Sequence, residues 1–207
     1  MKEGRQARPL LLLAAAGLWV AGTARGADAG LGITVRLDNR AHAPIGTVER
    51  AQTEVIRLFR DAGIEIRWIN CTETAGEQFA PDCLEPGRPG HFGLTILSQP
   101  AASFPKTALG YAVPSRTGAG LATVFYRRID ELARTTACDK VGILGYAIAH
   151  EVGHLLLPGK THSPTGVMHA RWEPEDWQIA GMGFLCFSRQ EATSMRDSAK
   201  RFLRESK

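Results

Sequence analysis

Four of the six histidines in this 207-residue chain fall within twenty positions, in HEVGHLLLPGKTHSPTGVMHA, residues 150–170. His150 and His154 are four apart, so on a helix both imidazoles project from one face and can share an ion at a Zn–N distance of about 2.0–2.1 Å. Glu151 stands beside them, placed to take a proton from a water that such an ion activates. Three histidines would leave a fourth coordination position open, as a reactive site requires, whereas a structural site fills all four with protein ligands. The third histidine therefore decides the chemistry, and His162 is the candidate. Pro158 pushes Leu157 out of helical geometry and Gly159 tolerates the positive φ of a helix stop, which lets the chain double back and bring His162 to the metal.

The element carrying this pair must be a helix. KVGILGYAIAHEVGHLLL is too long and too apolar for a strand and predicts a buried helix from Lys140. Ahead of it, GITVRLDN alternates Ile33, Val35 and Leu37 with polar partners, as a half-buried strand does. TVERAQTEVIRLFRDAG sets Val48, Ala51, Val55, Leu58 and Phe59 at helical spacing and stops at Gly63. IEIRWIN and FGLTILS follow as strands, and ALGYAVPSRTGAGLATVFYRR predicts a strand pair around a Pro/Gly/Ser turn. After the histidines, SRQEATSMRDSAKRFLRESK opens with Ser188 and Glu191 at capping-box spacing and lines Ala192, Met195, Ala199 and Phe202 along one face. The expected fold is α+β: a small mixed sheet with a backing helix, then the histidine helix, then a mostly helical C-terminal part.

Here the sequence resembles the metzincin metallopeptidases, whose pattern is HExxHxxGxxH followed by a turn carrying a methionine beneath the metal. It looks like the small secreted bacterial type with an HExGHLLL…HSPxGxM arrangement. The resemblance covers residues 147–172 and implies a zincin-like fold, with His150, His154 and His162 as zinc ligands, Glu151 as general base, Gly159 as the helix-ending glycine and Met168 as the turn methionine. In this chain the glycine and third histidine come two residues later than in that pattern, where Leu157 and Lys160 stand. His169, as the neighbour of an inward Met168, is expected to be no ligand. Astacin-type enzymes place a tyrosine two positions after the methionine; Ala170 stands there instead. The implied activity is that of a secreted or periplasmic zinc endopeptidase, its protein or peptide substrate lying as an added strand along an edge such as LGYAV. Two alternatives stand beside it: a zincin whose third ligand is Glu173 or Glu175, and a zinc-stabilised binding module that cleaves nothing. The acidic run of Glu173, Glu175 and Asp176 could orient a ligand histidine or lie at the surface, and the surface reading is preferred.

Composition bounds the rest. Residues 1–26 carry basic residues, an apolar run from Leu10 to Val20 and small residues to Gly26, the order of a cleaved signal peptide; the run is too short for the roughly 20 residues of a membrane span. Residues 27–207 then form one catalytic domain. Without Lys2, Glu3, Arg5, Arg8 and Arg25, 21 basic residues face 20 acidic ones, which gives nucleic acid no electrostatic handle. Four cysteines in an exported chain predict two disulfides. Of the three possible connectivities, Cys71–Cys83 with Cys138–Cys186 is preferred because the first pair closes a loop without periodicity, and each bond is worth about 3–4 kcal/mol on a loop-entropy model.

Overall fold

The computed structural model describes residues 31–72, 81–84, 87–136, 138–159 and 162–205; the expected leader, residues 1–26, lies outside them. The elements run β1 (Gly32–Asn39), α1 (Ile45–Asp61), β2 (Glu65–Asn70), α2 (Pro81–Leu84), β3 (His91–Leu97), β4 (Gly110–Pro114), β5 (Gly120–Phe125), α3 (Tyr126–Ala133), α4 (Lys140–Leu156), α5 (Pro174–Gly181) and α6 (Arg189–Glu205). The five strands form one sheet in the order β2-β1-β3-β5-β4. All neighbours are parallel except β4, which closes a hairpin onto β5 and forms the edge.

Alternation along the strands decides which face is covered. Ile33, Val35 and Leu37 of β1 and Phe92, Leu94 and Ile96 of β3 are buried, and the register sets Val35 opposite both Phe92 and Trp68. Against this sheet lie α1, through Val48, Ala51, Val55, Leu58 and Phe59, and α4, which packs beside α1 and across β5 and β4. Twelve of the 17 residues of α4 are buried, Glu151 among them. A fully buried Leu, Ile, Val or Phe contributes roughly 1.5–3 kcal/mol, so a helix clad on nearly every side is a rigid mount for whatever it carries. Asp139 caps its start by accepting from the Gly142 N–H at 2.7 Å. Among the described residues, no helix is long and apolar enough to cross a membrane.

The expected strands, the first helix, the histidine helix and the capped C-terminal helix all appear. Three elements differ, the first being α2, a four-residue helix around Cys83 that buries nothing. Tyr126, Arg127 and Arg128 do not extend β5 but open α3, whose eight residues bury only Ile129, too little apolar pattern to mark a helix. WEPEDW contains the start of α5: Glu173 and Asp176 make a reciprocal capping box around Pro174. Charges that read as surface thus build a helix end.

The cysteines also depart from expectation. Cys71 and Cys83 form a disulfide across a Cα–Cα distance of 5.7 Å, but Cys138 and Cys186 are free thiols. Cys138 is buried just before the start of α4, whereas Phe187, next to Cys186, approaches Gly153 near the far end of that helix. At 1.5 Å per residue those positions are about 20 Å apart, far beyond the roughly 7 Å that a disulfide spans between Cα atoms.

Candidate metal centre

On α4 the rings of His150 and His154 meet edge to face at 4.7 Å, and their Nε2 atoms converge to 3.1 Å. Nδ1 of His150 lies 2.7 Å from the Val167 carbonyl. A carbonyl only accepts, so Nδ1 holds the proton and Nε2 presents its lone pair, as a metal ligand with a backbone second partner does. Burial pushes the His150 imidazole down to about 4; the Val167 bond opposes that shift and the nearby His162 adds to it. The ring is therefore neutral near pH 7, the form that binds a metal.

The helix stops as its sequence requires. Leu157, before Pro158, is extended at φ −85° and ψ 135°, and Gly159 takes φ +79°, where a side chain would be strained. Lys160 and Thr161 lie outside the described residues. His162 then stands with its ring 5.3 Å from that of His150 and 4.8 Å from that of His154. Ligand atoms of the three lie within 4.8 Å of one another. Tetrahedral zinc would hold its nitrogens about 3.3 Å apart. The helical pair already has that spacing, and the exposed His162 needs only a small side-chain adjustment to join it. Among the described residues this is the one cluster of three or more His, Cys, Asp or Glu side chains suited to an ion, and neither Glu173 nor Glu175 belongs to it.

Glu151 is 7 % exposed, and burial alone pushes its carboxyl up to about 8. The backbone of β4 runs directly over it: a Cβ on Gly110 would fall 2.4 Å from the Thr123 carbonyl oxygen and 2.9 Å from Glu151 Oε1. Only glycine lets the edge strand come this close to the carboxylate. Met168 is fully buried, its sulfur seated where a Cβ on Gly153 would be 2.7 Å away. Trp172 meets His150 edge to face at 5.3 Å. Histidines, Glu151, β4 and Trp172 share one cavity of about 740 Å³ that reaches Leu132 and Trp177.

His169 and Asp176 line up differently from expectation. His169 lies outside the three-histidine cluster, and Asp176 is buried, not at the surface: its Oδ2 accepts from His169 Nδ1 at 2.8 Å and from the Glu173 N–H at 2.9 Å. Glu173 and Glu175 are exposed. Three contributors to the site escaped the sequence: the Val167 carbonyl, the space above Gly110 and the Trp172 ring. The first two are backbone features with no residue-type signature, and a tryptophan beside acidic residues signals nothing by itself.

No family model and no curated protein sequence matches this chain. Among solved structures it is similar to metalloproteinase-II from Bacteroides fragilis, with 12% identity and a TM-score of 0.50 over 81% of this chain and 52% of that one. It also aligns with archaemetzincin from Methanopyrus kandleri at 19% identity and a TM-score of 0.49, covering 85% of this chain and 100% of that one. The chain thus spans about half the length of the Bacteroides protein. At these identities the likeness is one of fold, and the fold is the α+β, zincin-like arrangement expected of these elements.

Proposed function

We propose that this protein is an exported zinc-dependent endopeptidase. The observation that carries the reading is the convergence of His150, His154 and His162 on one point of a cavity wall, with the buried carboxylate of Glu151 beside them. Three imidazole donors with one position left open suit zinc in a reactive rather than a structural role. Zinc held there would supply a water made acidic and a polarised scissile carbonyl. Glu151 accepts the proton of the attacking water and returns it to the leaving amine. Burial opposes that role in the metal-free fold, where the carboxyl is pushed up to about 8 and keeps its proton near neutral pH; a cation held by the histidines would favour the ionised form that accepts a proton.

Positioning of the substrate falls to β4. As the edge strand over Glu151 it offers unpaired backbone groups to an extended peptide, and the cavity beside it takes a side chain. Residues 1–26 as a leader, together with the Cys71–Cys83 disulfide, support a secreted or periplasmic location. A protein or peptide is the partner this site is built for.

The test is digestion of a broad peptide library by wild type and Glu151→Gln, each assayed for zinc. Both are expected to carry one zinc, with cleavage lowered by about 10²–10⁴-fold in the variant. Equal cleavage would remove Glu151 from the chemistry. A zinc-replete wild type that cleaves nothing would favour a binding module. His162→Ala should abolish tight zinc binding; retention of the metal would return the third ligand to another residue.

A further inference from the structure

His162 is exposed and sits on a return loop, so something must hold it in place. The next residue supplies two anchors. The Ser163 N–H donates to the Met168 carbonyl at 2.9 Å, and its Oγ donates to Oε1 of Glu191, 28 positions away at the head of α6. Glu191 is only 7 % exposed. Its Oε2 accepts the Ser188 N–H at 2.6 Å, while its own N–H donates to Ser188 Oγ at 3.2 Å. A capping box needs one carboxylate oxygen. Here the second oxygen is given to the histidine loop instead of to water.

The same stretch holds the other end of the loop. The Cys186 carbonyl accepts the Val167 N–H at 3.1 Å, and the Val167 carbonyl in turn accepts Nδ1–H of His150. Residues 186–191 therefore fasten both the loop that carries His162 and the carbonyl that orients His150.

We propose that Glu191 is a positioning residue for the metal centre: through Ser163 it fixes His162, and the N-terminal cap of α6 thereby sets the affinity of the site for its ion. This rests on the zinc reading of the three histidines. Partners one step behind a metal ligand commonly govern affinity by about 10–100-fold, because they remove the freedom that the ligand would otherwise lose on binding.

The experiment measures zinc affinity of the intact chain by competition with a chromophoric chelator, alongside urea unfolding of the same samples. Ser163→Ala removes the tether and leaves the capping box whole; Ser188→Ala breaks the box and leaves the tether. Ser163→Ala and Glu191→Ala are each expected to weaken zinc binding by about 10–100-fold, with the double variant no weaker than the worse single one. Ser163→Thr keeps a hydroxyl and should restore affinity to within about threefold of wild type, and Ser188→Ala should lower stability with affinity changed by less than about twofold. Overturning results are a Ser163→Ala protein that binds zinc as wild type does, or a Ser188→Ala protein weakened as much as Ser163→Ala. Wild type that takes up no zinc at all overturns the metal reading itself and the tether with it.

Discussion

Glu151 stands where burial and catalysis pull in opposite directions, and the conflict can be measured in the metal-free fold. Its carboxyl rises from an ordinary 4.5 to about 8 because burial penalises the charge. A raised carboxyl binds its proton more tightly folded than unfolded, so its stabilising effect is complete below about pH 4.5 and is lost as pH climbs toward 8. His150 runs the other way: pushed down to about 4, it favours the fold above its ordinary 6.5 and costs stability as pH falls from 6.5 to 4. The two overlap at acidic pH and separate above it. Between pH 6.5 and 8, Glu151 is the shifted group that loses its proton in the fold, while His150 gives up its remaining half proton in the unfolded chain. At 1.36 kcal/mol per unit the first costs about 1.6 kcal/mol and the second returns about 0.4, so these two groups together should cost the metal-free wild type about 1.2 kcal/mol across that window. Glu151→Gln has no such proton to lose and should keep only the small gain from His150. Urea unfolding of chelator-stripped wild type and variant at pH 6.5, 7.2 and 8 measures the difference directly. Parallel pH dependences for the two proteins would refute the claim that burial holds this carboxylate away from its charged state.

The space above Glu151 gives a second expectation. Gly110→Ala would drive a methyl to 2.4 Å from the Thr123 carbonyl and into the carboxylate, and should destabilise the protein by about 1–3 kcal/mol while lowering peptide cleavage; unchanged melting and turnover would show that β4 can move aside freely. The cysteines give a third. Native protein treated with iodoacetamide should label the exposed Cys186 and spare Cys138, which is buried and whose thiol is pushed up to about 11 chiefly by that burial. Unreduced protein in denaturant should titrate two thiols and yield one disulfide-linked peptide pair containing Cys71 and Cys83; no free thiols would contradict the fold described above.

Local parts of the site are legible in the order of residues alone. Spacing of four on an apolar run puts His150 and His154 on one face of a helix whatever surrounds it, and Pro158 with Gly159 must end that helix. Ser188 and Glu191 announce a helix start, and alternation in GITVRLDN and FGLTILS announces strands. These outcomes depend on torsions and periods within a few residues, which composition encodes directly. Tertiary structure decided what depends on distant neighbours. His162 was one candidate ligand among several until packing brought it to the helical pair and left Glu173 and Glu175 outside. Asp176 looked like surface charge until the fold set it against His169. Cys138 and Cys186 looked like partners by count, and the length of α4 holds them apart. Glu191 looked like half of a cap, and its second oxygen found Ser163 only because α6 packs where the histidine loop returns. A carbonyl, a gap above a glycine and a carboxylate oxygen with one bond to spare have no letter in the sequence. Their roles exist only once the chain has closed on itself.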